Sequence, residues 1–297
     1  MIEMIRVSLL IVGIAMFTGI TDGKAALLPD TLKTNTILFR VTHPDRDQIS
    51  YLFGTHHAFG ESFFNELQHA GDALGSSDLL IKENLNIPGH RAEDIINLRT
   101  STTSWKKFLN HSDLAFVSNV LAASPVDLQK MTPTELHTVL SRYYKEKVCL
   151  SKDPTDSHLT LDDYIGSLAE AHRIRMVGLE TTEEQIELIN RDVRGMPRKV
   201  HKKRLAAIID RLRRKSDDNC REIEWYRKMD FDYRLTQACQ NRLVLTDRNE
   251  RWMAEIEPYL KTNNCFIAVG LSHLMFECGL IAQLEERGYT IVPVAVR

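Results

Sequence analysis

Two short segments of this chain place a histidine three residues after a glycine, at the end of an apolar strand pattern. The first segment, Gly54 to His57, follows ISYLF, and the second, Gly270 to His273, follows CFIAV. A glycine at a strand end lets the backbone turn sharply and approach a ligand. In open α/β sheets, binding sites form in the crevice beyond the carboxyl ends of the strands. The spacing therefore predicts that both imidazoles reach one crevice, where they bind one ion or share acid–base work.

Two carboxylates follow buried strand patterns in the same way. Glu83 comes directly after DLLIK, and Glu180 comes directly after RMVGL. A carboxylate beside a buried apolar run is costly unless it meets a cation or several hydrogen-bond donors. Two histidines with one or two glutamates suit a zinc-like or transition-metal ion that keeps open coordination positions. Such an ion activates water for hydrolysis. Without a metal, the same side chains can serve as general acid and base.

The elements that must position these residues predict an α/β fold. Apolar periodicity predicts strands at 36–41, 49–54, 78–82, 175–180, 265–270 and 290–295, and helices at 62–74, 161–171 and 280–287. The first two strands flank a turn-forming segment and form a predicted hairpin. The order strand, helix, strand over 49–82 predicts a parallel βαβ unit. We therefore expect a mixed, largely parallel sheet flanked by helices, with a helical insertion around 92–144.

The first residues have the pattern of a secretory signal peptide. A short basic region ending at Arg6 precedes the apolar stretch 7–20 and the small-residue exit at 23–25. A membrane-spanning helix needs about 20 apolar residues, so an uncleaved anchor is the less favoured alternative. We expect a signal peptide at 1–25 and a single α/β domain at 26–297. The domain would be exported, periplasmic or secreted, with no stable membrane span after cleavage.

Composition and charge exclude several classes of protein. The 297 residues are 43% hydrophobic and 26% charged, which excludes disordered and low-complexity chains. The formal charge of −2 gives no net field that attracts nucleic acid or an anionic membrane, so no nucleic-acid partner is expected. A dense run of Lys and Arg within 192–216 is interpreted as the solvated face of an amphipathic helix. The alternative interpretation of this run is a surface for an anionic partner.

The five cysteines all lie in the second half of the chain. An exported protein meets oxidising conditions, so one or two disulfides are expected. An odd number of cysteines leaves at least one of them free or paired with another molecule. The connectivity of the disulfides does not follow from the sequence.

The order of the motifs resembles that of the TraB/GumN family from Thr36 to the last strand. The segment TILFRVTHPDRDQISYLFGTHH resembles the family's opening hairpin and its yLfGTxH signature, and DLLIKE its LxxE strand. GLET, WYRKMD, DRN and the closing FIAVGLSHLMFECGLIAQLEERGYTIVPV are similar to later motifs of the family. Each motif is short, but their order and spacing together are specific.

The resemblance implies a metal-dependent activity. Wider relatives of the family include the Tiki proteins, which look like metal-dependent proteases, and the erythromycin-esterase and haem-binding ChaN-like folds. By motif, the candidate metal ligands are His57, His273, Glu83 and Glu180, with Mn, Co or Zn as the expected divalent ion. The two glutamates are also candidate catalytic residues. Arg248 is expected to stabilise a developing oxyanion or, alternatively, to form a structural salt bridge to one of the glutamates.

Three residues depart from the family pattern. His56 stands at a usually apolar position, and we favour His57 as the ligand because neighbouring strand residues point to opposite faces. Met229 and Phe276 stand where the family has glycine, Met229 in the WYRKMD segment and Phe276 in the loop after His273. Phe276 is expected to change the shape of the site mouth, whereas Met229 makes the match of its segment to the family motif weaker.

Two functions from different classes remain open at the level of sequence. The first is an exported metal-dependent hydrolase, a peptidase acting on a peptide or protein substrate. The second is a non-catalytic protein that sequesters a peptide or a haem-like ligand. A third interpretation leaves the four candidate side chains as a buried polar network without an ion. Replacing any member of such a network would lower stability, because a partner is left unsatisfied.

Overall fold

The computed structural model describes residues 33–150 and 159–297. The expected signal peptide at 1–25 therefore lies outside the described residues. Among the helices of the described ranges, none combines the length and the apolar character required to cross a bilayer.

A six-stranded sheet forms the centre of the fold. The described residues form eight strands, six in this sheet and two in a small separate one. They are β1 (Lys33–Thr34), β2 (Leu38–Thr42), β3 (Ser50–Thr55), β4 (Leu79–Lys82), β5 (Arg175–Gly178), β6 (Phe231–Asp232), β7 (Cys265–Gly270) and β8 (Thr290–Val294). The large sheet has the order β5-β4-β7-β3-β2-β8, and β1 pairs with β6. Pairs among β5, β4, β7 and β3 are parallel, whereas β2 is antiparallel to both β3 and β8. The predicted mixed, largely parallel α/β fold and its opening hairpin are confirmed.

Helices flank the sheet and build the insertion. They are α1 (Glu61–Asn65), α2 (Gln68–Gly75), α3 (Ala92–Asn97), α4 (His111–Val120), α5 (Pro133–Tyr144), α6 (Leu161–Ala171), α7 (Thr182–Asp192), α8 (Arg198–Arg214), α9 (Arg221–Lys228), α10 (Asp247–Leu260) and α11 (Leu280–Glu286). The single helix predicted at 62–74 is in fact two, α1 and α2. The fully buried Leu67 adopts a non-helical conformation between them.

The two strands of the predicted βαβ unit, β3 and β4, are parallel as expected, but they are not neighbours in the sheet. β7 lies between β3 and β4, with Thr55 opposite Gly270 and Lys82 opposite Ala268. Five of the six residues of β7 are buried, as expected for the central strand of a sheet covered on both faces. As a result, the four candidate segments follow four neighbouring parallel strands.

Two hydrophobic clusters support the fold. The larger one surrounds the sheet, and the smaller one fills the insertion, where residues such as Leu136, Leu140, Leu205 and Ile209 pack α5 against α8. A disulfide between Cys149 and Cys220 closes the end of this insertion. The expectation of one or two disulfides is confirmed, because a second bridge joins Cys239 to Cys278 and the described Cys265 is free and buried.

Both residues that replace a family glycine lie in left-handed backbone conformations. Met229 ends α9 with φ 54°, and Phe276 has φ 69° in the loop after His273. Glycine adopts this region without steric cost, whereas other residues are rare there. The loops thus keep a geometry suited to glycine although the side chains differ.

Candidate functional site

The carboxyl ends of β5, β4, β7 and β3 meet at one edge of the sheet. Backbone hydrogen bonds continue past the strands here, since the amide of Glu180 donates to the carbonyl of Glu83 at 2.9 Å. A cavity of about 750 Å³ opens at this edge, lined by His57, Glu83, Arg248 and His273. One face of α5 and part of α9 form its other walls. Glu180 is not among the lining residues, because it lies behind Arg248.

The two glycines at the strand ends allow close contacts inside the protein. A Cβ atom on Gly270 would lie 3.1 Å from Oε1 of Glu83, and the Gly270 amide donates to the same oxygen at 2.8 Å. A Cβ atom on Gly54 would lie 2.7 Å from Cδ1 of Leu271. At both glycines the close approach is to side chains of the protein itself, and it serves the packing of the strand ends.

The guanidinium of Arg248 connects three of the candidate residues. Its Nε donates to Oε1 of Glu180 at 2.5 Å, and its Nη2 donates to Oε2 of Glu83 at 3.0 Å and to Oε2 of Glu180 at 3.1 Å. Its Nη1 donates to Nε2 of His273 at 2.9 Å and lies 3.5 Å from the carbonyl of Val244. All five donor hydrogens of the guanidinium therefore have an acceptor within reach.

The two glutamates respond differently to their shared cation. Burial pushes the pKa of Glu83 upward, but the neighbouring His273 and the Arg248 guanidinium outweigh it, so the pKa falls below its usual value. We attribute this mainly to Arg248, because His273 is neutral near pH 7. Burial is the strongest influence on Glu180 and raises the pKa of its carboxyl despite the bond to Arg248. Glu83 is thus the carboxylate that stays ionised beside the cavity.

Asn249 fixes the orientation of His273. The amide nitrogen of Asn249 donates to the carbonyls of His273 and Cys278, so its oxygen must accept. That oxygen lies 2.6 Å from Nδ1 of His273, which therefore carries the ring hydrogen. The Nε2 lone pair is left to accept from Arg248. Burial lowers the pKa of His273 to about 4, so the ring is neutral near pH 7.

Asp162 holds His57 in a different electrostatic state. Nδ1 of His57 lies 2.8 Å from Oδ2 of Asp162, whose other oxygen accepts from the hydroxyl of Thr55 at 2.6 Å. The nearby Asp162 charge raises the pKa of His57 to about 9, and the side chain of His57 is 60% exposed. Lys82 donates to the Asp162 carbonyl at 2.9 Å and anchors the start of α6. His57 therefore presents a protonated ring to the cavity.

The adjacent His56 belongs to a separate network. Its Nε2 lies 3.1 Å from Oε1 of Glu222, and Lys145 contacts the other oxygen of Glu222 at 2.7 Å. Of the two adjacent histidines, His57 influences the pKa of Glu83 and His56 does not. This placement agrees with the choice of His57 over His56 as the candidate ligand.

Sequence reasoning missed the two residues that orient the histidines. Asp162 lies in the first turn of α6 behind the N-cap Thr160, where an acidic residue is ordinary helix capping chemistry. Its role follows only from the tertiary contact with His57. Asn249 was within reach of sequence analysis, because it belongs to the DRN segment that marked Arg248.

The side chains of His57, His273 and Glu83 are chemically suited to bind a metal ion, although Arg248 already forms hydrogen bonds with His273 and Glu83. Metal-binding histidines usually donate their other ring N–H to an oxygen, as His57 does to Asp162 and His273 does to Asn249. Within residues 33–150 and 159–297, however, no three His, Cys, Asp or Glu side chains are grouped closely enough to hold an ion. Ion binding at His273 and Glu83 therefore requires the Arg248 guanidinium to move.

The comparisons with known proteins give one finding. A model described as the TraB/PrgY/gumN family matches residues 37–293, which is nearly the whole chain. No curated protein and no solved structure shows significant similarity to the chain.

Proposed function

Because this chain belongs to the TraB/PrgY/gumN family, we propose that it is an exported, metal-dependent hydrolase that cleaves peptide bonds. One observation carries the proposal. Two histidines, each held through Nδ1 by an oxygen acceptor, face the same cavity beside the ionised Glu83. This is the donor chemistry of a catalytic metal site with open positions.

His57, His273 and Glu83 are the residues that would hold the ion. A bound Mn, Co or Zn ion supplies an activated water and polarises the scissile carbonyl. Because the resting His57 is protonated, ion binding at its Nε2 requires the loss of that proton. Affinity for the ion should therefore increase as the pH rises toward 9.

Arg248 and Glu180 act as positioning residues in this proposal. All five donor hydrogens of Arg248 face protein acceptors, so an oxyanion could be bound only by giving up one of them. The contact to the Val244 carbonyl, at 3.5 Å, is the longest and the easiest to give up. Glu180, with a side chain 1% exposed, holds the guanidinium from behind. The salt-bridge role expected for Arg248 is thus the one that the geometry favours.

Export is supported by the two disulfides. Such bridges persist in oxidising compartments and are rare in the cytosol. The bridges Cys149–Cys220 and Cys239–Cys278 agree with the signal-peptide pattern at 1–25.

A non-catalytic binding protein is the second candidate function. The observation in its favour is that Arg248 already forms ion pairs with both Glu83 and Glu180, so each buried carboxylate has a cationic partner without an added ion. The cavity of about 750 Å³ would then hold a peptide or a haem-like ligand unchanged.

Elemental analysis of the purified protein tests the proposal. We expect near-stoichiometric Mn, Fe, Co or Zn in the wild type and its loss in a folded His57→Ala/His273→Ala variant. His56→Ala is the matched control and should keep the metal. Loaded protein should then release peptide fragments in a cleavage screen. If neither protein holds metal after incubation with each ion, the hydrolase proposal is wrong; a stoichiometric complex with unmodified peptide then supports the binder.

A further inference from the structure

The exposed face of α8 carries a concentrated positive charge. Residues 193–209 contain six Lys or Arg residues and no Asp or Glu. The chain as a whole has a formal charge of −2, so this concentration is local. The next acidic residue, Asp210, is already paired with Arg214.

The arrangement of α8 turns these charges outward. Leu205, Ile208, Ile209 and Leu212 are buried at helical spacing and anchor the helix in the insertion. Lys199, Lys202 and Lys203 recur at the same spacing on the exposed side. We call these three lysines the α8 lysine face.

Further exposed cations lie on α8 or in the turn packed beside it. Arg198 is exposed at the start of the helix, and Lys106 and Lys107 are exposed in a short turn at 105–107. The turn lies beside α8, because the rings of Phe108 and His201 are 6.4 Å apart. None of these six side chains forms an ion pair or hydrogen bond with another residue of the described ranges.

We propose that the α8 lysine face docks the protein onto a membrane surface that carries anionic headgroups. The apolar side of α8 is already buried, so contact with the membrane would be electrostatic and would not insert the helix. A helix of 17 residues presents a straight edge about 25 Å long. Unpaired lysines on such an edge are attracted to anionic lipids within about one Debye length.

Vesicle sedimentation of the full chain tests this proposal. The probes are vesicles of pure phosphatidylcholine and vesicles with 30% phosphatidylglycerol, each at 50 and 300 mM NaCl. We expect binding that depends on phosphatidylglycerol and weakens at the higher salt concentration. Comparing the two lipid compositions cancels any contribution of the apolar stretch 7–20, which is the same in both.

Matched variants locate the contact. Lys199→Gln/Lys202→Gln/Lys203→Gln should weaken binding to the anionic vesicles by roughly 100-fold, since each basic residue at such a surface contributes about fivefold. The control, Arg221→Gln/Arg227→Gln/Lys228→Gln on α9, removes the same charge from exposed positions and should bind as wild type. Circular dichroism checks that both variants are folded.

Three results would overturn the proposal. They are equal binding of the wild type to both kinds of vesicle, equal loss of binding in the two folded variants, and binding to a DNA duplex but not to anionic vesicles. The wild-type lipid and salt comparison decides the matter even if one variant fails to fold. None of these measurements depends on hydrolysis, so the membrane proposal is tested independently of the proposed function.

Discussion

Nη1 of Arg248 lies 2.9 Å from Nε2 of His273, the nitrogen that a metal ion would use. Because Asn249 takes the hydrogen on Nδ1, this lone pair is the only acceptor of the ring, and Arg248 occupies it. The same guanidinium also holds Glu83. A divalent ion and Arg248 therefore compete for Nε2 of His273 and for the carboxylate of Glu83.

Replacing Arg248 should expose this competition. Arg248→Met leaves the buried Glu83 without its arginine partner and Glu180 with only the more distant Arg251, and it should lower the free energy of unfolding by about 3–5 kcal/mol. A divalent ion can then take the place of the guanidinium. We expect added Mn, Co or Zn to raise the melting temperature of the variant more than that of the wild type.

Arg251→Met is the control for this experiment. Its guanidinium also contacts Glu180, at 3.4 Å, but its side chain is 45% exposed. We expect a loss of at most about 1 kcal/mol and no added response to metal. Equal metal-induced shifts in wild type, Arg248→Met and Arg251→Met would contradict the idea of competition.

The pKa of His57 should depend on Asp162. In Asp162→Asn the carboxylate charge is removed, so the pKa of His57 should fall from about 9 toward its ordinary value of about 6.5. Histidine NMR titration measures this change directly. An unchanged pKa of His57 would show that another group sets its charge.

His273 should make the folded state sensitive to acid. Its pKa is about 4 in the folded protein and about 6.5 when unfolded, so between these values the unfolded state binds more protons. The free energy of unfolding should therefore fall as the pH drops from 6.5 to 4, by about 3 kcal/mol from this residue. Urea titrations at several pH values, compared with His273→Gln, isolate the contribution.

The His57–Asp162 pair should have the opposite dependence at alkaline pH. Because the folded pKa of His57 is raised, its contribution is present below pH 6.5 and is lost as the pH rises through about 9. The stability difference between wild type and His57→Ala should thus shrink over that range. A difference that grows with pH would contradict the assigned charge state.

The two disulfides should stabilise the fold and differ in their effect on the site. Removing either Cys149–Cys220 or Cys239–Cys278 should cost about 2–5 kcal/mol. Asn249 donates to the carbonyl of Cys278, so only the Cys239→Ser/Cys278→Ser variant should also change the titration of His273. Thermal unfolding and histidine NMR measure the two effects. Equal changes in His273 for both variants would contradict the link.

Sequence patterns located the strand ends that carry the site, because apolar runs and glycines are local signals. Glu83, Glu180 and His273 were located by their positions after strands, and in the structure all three contact Arg248. The order of the strands in the sheet was harder to predict, since the placement of β7 between β3 and β4 depends on pairing across more than 180 residues. Asp162 was missed for the same reason, because its contact with His57 bridges 105 positions.

The glycine replacements show a different limit. The sequence predicted a changed site mouth at Phe276 and made no prediction for the backbone at Met229, and both residues adopt left-handed conformations. Packing of the surrounding chain determines these backbone angles, including the bond from the Phe276 amide to the Tyr233 carbonyl at 2.9 Å. A residue type alone therefore does not reveal whether tertiary contacts hold its backbone in a costly conformation.

The central position of β7 governs when the protein can fold during synthesis. This strand joins β3 to β4, yet it follows β4 by more than 180 residues in the sequence. A nascent chain still lacking it has two separated halves of a sheet and only one of the two G-x-x-H segments. Such a chain cannot close its fold until β7 has been synthesised. Long-range strand pairing of this kind is also slow, which prolongs the time that the finished chain spends unfolded.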